Sequence, residues 1–265
     1  MSDSRYNYYV NSFIPIFRRA LKVQLSPLVA EVKRAGSTNE LLSINVHLDD
    51  KPVEDAIMLA YTKIGSYYMN NTIKAIRGSK KSLSDEDKLY MARMRDYVVQ
   101  NCGKKIKWIT GTTDKRFREI VRREVTLGLE EGKAINKIAA SISSSLNFEN
   151  GYRSIRIART ETLGASNAGS LNGAMQTGLS LEKGWLTARR ENVRNSHKKM
   201  NGVFVDLNAM FSVPIFDGEV FTGEYENMQH PGDTNGSGSN IINCRCTLVY
   251  RRKLSSYQQN LTFEL

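Results

Sequence analysis

Two of the chain's three histidines and two of its three cysteines fall between residues 197 and 246: His197, His230, Cys244 and Cys246. Imidazole nitrogen and thiolate sulfur are the donors zinc prefers. Four of them close a structural site, whereas a catalytic zinc keeps one position open. This gathering of scarce side chains makes zinc the expected cofactor and these four residues its expected ligands. Cys244 and Cys246 stand on alternate positions, so in an extended segment both sulfurs would share a face and Arg245 would point the other way. The same pattern also suits two small apolar side chains in a core. Arg194 and His197 are three residues apart, a spacing that puts them on one face of a helix, with Arg194 expected to pair with a nearby carboxylate. His230-Pro-Gly-Asp233 reads as a tight turn, with proline presetting φ and glycine accepting a positive φ.

No catalytic signature accompanies these residues. The chain lacks a P-loop, a G-x-S-x-G elbow, an H-E-x-x-H pair and a dinucleotide fingerprint. The reading is therefore not an enzyme, with no catalytic residues assigned. The alternative is a zinc-dependent hydrolase or toxin-like effector acting on nucleic acid, which would need an open metal position.

The charge of +11 is uneven. Residues 51–120 hold 15 Lys and Arg against 8 Asp and Glu. Lys74, Arg77, Lys80, Lys81, Lys104, Lys105 and Lys107 form the candidate nucleic-acid contact, a basic patch able to attract phosphates by counterion release. The competing reading is a solvated helix face or a dock for an acidic protein. No apolar run is long enough to span a bilayer, so no membrane partner is expected. The first residues carry no secretory pattern, which leaves a cytoplasm as the default location. Three cysteines, two of them one residue apart, make no disulfide framework.

The elements that must position these groups change character at residue 180. Before it, apolar residues recur at helical spacing: Val10, Phe13, Phe17 and Leu21; Ile57, Ala60, Tyr61, Ile64 and Tyr68; Met91, Met94 and Val98; Val121, Val125 and Leu129; Ile135, Ile138, Ala139, Ile142 and Leu146. Pro15 is expected to start the first helix or to kink it, and Ser26-Pro27 to bound it; Thr110-Gly-Thr-Thr-Asp114 is expected to separate two others. Gly132 is expected as a C-terminal cap, and the Ser141–Ser145 and Asn147–Gly151 stretches as a stop. Ile44 to Leu48 alternates like a short strand or an extended linker. Residues 153–177 are rich in small side chains, as a tightly packed helix pair requires. After Gly178 come short strands, at Leu181–Thr187, Val203–Leu207 and Thr247–Tyr250, among glycine and proline turns. The expected fold class is α+β: a mainly α-helical N-terminal region followed by a small α+β C-terminal module. The expected divisions are 1–115, helical with the basic patch; 116–180, helical; 181–250, the compact α+β module; and 251–265, a C-terminal arm.

One ordered set of pieces is distinctive: Ile157-Ala-Arg-Thr-Glu-Thr162, Gly184-Trp185, Arg194-x-x-His197, Met200-Asn-Gly202, Phe211, Pro231-Gly-Asp233 and Asn243-Cys-Arg-Cys246. In order and spacing this set resembles the phage Mu F-like minor head family, also called phage head-morphogenesis proteins. The resemblance covers residues 155–250 and extends to the helix pair at 118–146. The chain departs from the family pattern at Asn201-Gly202, where Asp-Gly is common, and at Ala188-Arg-Arg-Glu191, where an acidic residue often follows the tryptophan sooner. Residues 1–115 match nothing, so the basic patch rests on its chemistry alone. The resemblance implies a minor capsid protein of a tailed bacteriophage, located in the virion inside the head, and in the host cytoplasm during assembly. Its implied partners are the portal protein, the major capsid or scaffolding protein, and packaged double-stranded DNA without sequence specificity. Its implied role is to assist procapsid assembly, DNA packaging or ejection.

Overall fold

The structure, a computed structural model, describes residues 3–78, 84–188 and 193–253. The helical part comprises α1 (Asp3–Arg34), α2 (Thr38–Ser43), α3 (Lys51–Ala60), α4 (Ser66–Arg77), α5 (Ser84–Asn101), α6 (Gly103–Glu130) and α7 (Ile135–Gln176). A π-helical turn, Tyr61–Gly65, joins α3 to α4. The rest is β1 (Leu181–Leu186), α8 (Asn195–Met200), β2 (Phe204–Asp206), β3 (Phe211–Asp217), β4 (Val220–Met228), α9 (Gly238–Ile241) and β5 (Thr247–Arg252). The fold is α+β, with a long helical region before a small antiparallel sheet module, as the composition implies. No described helix is long and apolar enough to cross a membrane.

The chain divides into two compact units that are not consecutive stretches: residues 7–59 with 97–159, and residues 1–6 with 60–96 and 160–265. The boundary expected at 115 falls inside α6. The first of these units is helical. Its core joins Leu25, Leu28 and Val32 of α1 to Phe117, Val121 and Val125 of α6 and to Ile138, Ile142 and Leu146 of α7, among others. Burying such side chains contributes about 1.5–3 kcal/mol each. Gln24 lies in this core at 2% exposure. Its Nε2 donates to the Asp49 carbonyl at 2.8 Å and to Thr110 Oγ1 at 2.9 Å, which fixes the segment that leads into α3.

Several expected breaks are absent because side chains and packing compensate for them. α1 runs through both Pro15 and Pro27. Pro27 cannot donate to the carbonyl four residues back, Val23, and the Ser26 hydroxyl donates to that carbonyl instead at 2.7 Å. Thr110–Asp114 lies within α6. Its threonines bond back to the preceding turn, Thr112 to Trp108 at 2.9 Å and Thr113 to Ile109 at 2.8 Å, a pattern that lets β-hydroxyl residues sit inside a helix. The serine run at 141–145 likewise stays within α7, with Ser143 bonded to the Ala139 carbonyl. Gly132 does cap α6. Its φ is 65°, its N–H reaches the Leu129 carbonyl at 3.2 Å, and Lys133 N–H reaches Gly128 at 2.8 Å, which together form a Schellman motif. Leu129, expected inside, is 59% exposed because a four-residue repeat drifts around the helix. Residues 44–49 form neither helix nor paired strand.

In the second unit the small residues of α7 allow a close crossing. A Cβ on Gly169 would lie 2.1 Å from the Gly65 carbonyl oxygen in the π-helical turn, and one on Gly173 would lie 2.5 Å from that of Met69. Thr72 and Ser170 share a hydrogen bond of 2.9 Å across this crossing. The sheet of this unit has the order β2-β1-β5, all antiparallel, with Trp185 opposite Leu248 and Gly184 opposite Phe204. β3 and β4 form a separate hairpin whose register shifts between Pro214 and Phe216. The arm expected from 251 begins inside β5, and residues 254–265 lie outside the described residues.

Candidate metal centre

β1 brings Trp185 to the middle of the module, where it is fully buried. The His197 ring lies against it at 5.3 Å between centroids, and Phe211 of β3 lies at 5.4 Å, both edge-on. His197 therefore packs on Trp185, which Phe211 backs from another side. The segment just before β5 delivers the sulfurs to the His197 ring. Cys244 Sγ is 3.6 Å and Cys246 Sγ 3.3 Å from His197 Nδ1. All three residues are buried, and their three donor atoms lie within 4.8 Å of one another. A tetrahedral zinc with Zn–S near 2.3 Å and Zn–N near 2.0 Å holds its sulfur and nitrogen about 3.5 Å apart, so the spacing fits that ion. The group could hold a metal through two sulfurs and one ring nitrogen.

Electrostatics support the same use. The Cys244 thiol, hydrogen-bonded to Cys246, pulls the Cys246 thiol below the ordinary cysteine range, and His197 adds to the effect. Burial pushes Cys244 the other way, well above that range. One sulfur is thus poised as a thiolate beside a proton-bearing neighbour. His197 Nε2 is buried with no hydrogen-bond partner.

His230 does not join this group: among the described residues, no further His, Cys, Asp or Glu meets the same spacing. It is buried in its own turn, with Nδ1 3.1 Å from the Pro231 carbonyl. The turn is locked by Asp233, whose carboxylate accepts the Gln229 and Asn235 N–H groups. Gly232, with φ 78°, packs against Gly164 of α7, where a Cβ would come within 3.2 Å of Cα. Arg194, expected to meet a carboxylate, instead donates to the backbone carbonyls of Asn240 and Ile242, which tethers the segment leading to Cys244. Cys244 and Cys246 precede β5 rather than belonging to it, yet both sulfurs do face inward while Arg245 is exposed.

The residues that hold this arrangement in place are mostly ones the spacing of chemistry-bearing side chains does not flag. Asn167 of α7 is 1% exposed. Its Nδ2 donates to the Pro231 carbonyl at 2.9 Å and the Cys246 carbonyl at 3.0 Å, and its Oδ1 accepts the Leu248 N–H at 3.2 Å. One side chain thus ties the His-Pro-Gly-Asp turn to the cysteine segment. Thr160 Oγ1 accepts the N–H of Asn243, which adopts a positive φ of 55° ahead of Cys244. Ser196 bonds to Asn240 at 2.7 Å, and Asn240 in turn bonds to Glu226 of β4. Lys183 is fully buried on β1, with Nζ 2.8 Å from Gln229 Oε1, and burial pulls its amine down to about 8.

The candidate nucleic-acid residues are treated by the fold in different ways. Lys104 and Lys107 are exposed on α6. Lys105 is only 4% exposed, since it lies on the buried side of that helix, and so is not a surface contact. Lys74 is half-buried, and Arg77 donates to the Gln176 and Thr177 carbonyls at the end of α7. Lys80 and Lys81 lie outside the described residues.

Residues 119–249 match the family model described as Phage Mu protein F like protein. The chain is also similar to the NAD(+)–arginine ADP-ribosyltransferase EFV of Enterococcus faecalis, at 29% identity over 142 residues. That match covers 51% of this chain and 26% of the enterococcal protein, so the chain spans about a quarter of that relative's length. No solved structure matches. Thr160, Asn167, Trp185, His197, Asn243, Cys244 and Cys246 all fall within the matched segment, so the likeness to Phage Mu protein F takes in the residues that build the candidate metal centre.

Proposed function

We propose that the chain is a minor structural component of a phage head, held at the portal ring inside the shell, where it supports procapsid assembly and the packaging or ejection of DNA. The observation that carries this reading is where the family-matched residues point. Thr160, Asn167, Trp185, His197 and Cys246 turn inward and bind the chain to itself, Thr160 through the backbone N–H of Asn243. Such a module holds position, and its outer surface is left for neighbours, which would be the portal protein and the major capsid or scaffolding protein. In this reading the protein is not an enzyme. Cys244, Cys246 and His197 would hold zinc, which staples a module too small to rely on apolar burial alone. Mass spectrometry of purified procapsids and virions tests the reading: the chain is expected in both, cross-linked to portal. Its absence from both particles would end it.

The likeness to the ADP-ribosyltransferase supports a second reading, a toxin-like effector. The match covers only a quarter of that protein, which favours a shared carrier module over shared chemistry. NAD+ consumption by the purified chain with an arginine acceptor would bring the effector reading forward.

A further inference from the structure

α6 buries one side, through Ile106, Ile109, Thr113, Phe117, Ile120 and Val125. The opposite side, at the spacing of a single helical stripe, carries Lys104, Lys107, Trp108, Gly111, Lys115 and Arg122, all exposed. At 1.5 Å per residue this stripe is about 27 Å long. Three observations set it apart from an ordinary solvated face.

The first is charge with little compensation. The acidic residues of α6 along and just past the stripe are already engaged by other cations: Asp114 with Arg118 at 3.0 Å, Glu119 with Arg116 at 2.7 Å (with a weaker attraction to Lys115), and Glu124 with Arg123 at 2.7 Å. Lys104, Lys107, Lys115 and Arg122 make no ion pair among the described residues. The second is where the cations sit. Lys104 and Lys107 lie in the opening turns of α6, whose first turn holds no acidic residue. A cation there opposes the helix dipole at a cost of about 0.3–1 kcal/mol. The third is Gly111. A Cβ at this position would meet nothing within 4 Å, so nothing within the chain requires a glycine there. Glycine inside a helix costs about 1 kcal/mol relative to alanine. Its effect is to let another molecule approach the helix backbone. Beside it Trp108 holds its indole 45% exposed.

We propose that this face of α6 binds the sugar–phosphate backbone of double-stranded DNA without reading its sequence. A straight row of unpaired cations matches a duplex, which carries a negative charge about every 1.7 Å along its axis. The indole supplies a flat apolar surface against the sugars, and Gly111 removes the side chain that would hold the strand away. This site keeps Lys104 and Lys107 from the sequence-derived patch, leaves out Lys105, and adds Lys115 and Arg122, which join the row because α6 continues through Gly111. The proposal deepens the head-component reading, in which packaged DNA is the polyanion at hand.

The test uses the full chain and a labelled random-sequence duplex of about 30 base pairs, followed by anisotropy at rising salt. Four phosphate contacts give a slope of log affinity against log salt of about −3.6. Replacing all four cations (K104Q, K107Q, K115Q and R122Q) is expected to weaken binding at least 100-fold, ~10²-fold being the scale set by four lost phosphate contacts, with a thermal melt that is not lowered, since two of these cations oppose the helix dipole. Gly111→Gln is expected to raise the melting midpoint while weakening DNA binding, a split that a merely structural glycine would not produce. Trp185 is buried, so quenching of intrinsic fluorescence by duplex is expected to come from Trp108 and to vanish in Trp108→Phe. Unchanged affinity in the four-site variant would overturn the proposal. So would polyglutamate competing as well as unlabelled duplex, which would assign the face to an acidic protein. Either failure leaves particle composition untouched, whereas absence from particles with DNA binding intact would count against the head-component reading alone.

Discussion

The two compact units reach order by different physical means. The helical unit relies on a continuous apolar cluster shared by three long helices, with a smaller set of buried polar groups such as Gln24, Thr110 and Arg153. The unit that carries the sheet module relies on named polar ties: one asparagine, one threonine, an arginine on carbonyls, and two sulfurs against an imidazole. An apolar core loses stability in proportion to the volume removed. A core built on ties fails one tie at a time, and the loss depends on what is left unpaired.

The largest expected effect separates the two units cleanly. Purified chain is expected to contain about one zinc, and His197→Ala or Cys244→Ser to abolish it. With the metal lost, hydrogen exchange should accelerate across β1 to β5 while the helical core around Ile142 keeps its protection. Equal protection with and without metal would mean that zinc is not what orders the module. Because burial raises the Cys244 thiol, loading must displace a proton from it, so zinc retention should weaken as pH falls.

Phe117→Ala reverses the contrast. It opens a cavity in the helical core and should cost about 3–5 kcal/mol by denaturant melt, with zinc content unchanged. Asn167→Ala is a smaller test of the tied unit. It leaves two buried carbonyls and one N–H to find new partners, for an expected loss of about 1–3 kcal/mol, and it should slow zinc uptake by loosening the cysteine segment.

The smallest effect has the opposite sign. Lys183 has an amine near 8 when folded against 10.5 ordinarily, so between those values the unfolded chain binds the extra proton. Stability from this group therefore rises with pH across that window. Lys183→Met should stabilise the protein at pH 7 and flatten that rise. A melt series from pH 7 to 10 reads both outcomes.

How much of this was legible in the sequence follows from the same contrast. Helical stripes such as Phe13, Phe17 and Leu21 name their own buried face, and all three are buried. Breaks were over-read, since proline and serine signals are local while α1 and α7 are held by packing and by hydroxyls that replace lost bonds, as Ser26 does for Pro27. At the site, rarity exposed His197, Cys244 and Cys246, and the same reasoning drew in His230, whose ring instead serves its own turn. Asn167 was not legible, because a single amide inside a run of small residues carries no periodic signal. Lys105 shows the limit of charge counting: three nearby lysines look alike in a list, and the helix turns one of them inward.

The pairing of β5 with β1 has a consequence for the timing of synthesis. The sheet's central strand waits for a partner translated more than 60 residues later, and His197 waits 47 residues for Cys244. Until Cys246 and β5 leave the ribosome tunnel, Trp185 and Phe211 have nothing to close over them. The module is therefore committed to late closure, after β5 has emerged, and a nascent chain stalled before Asn243 presents chaperones with a bare aromatic surface.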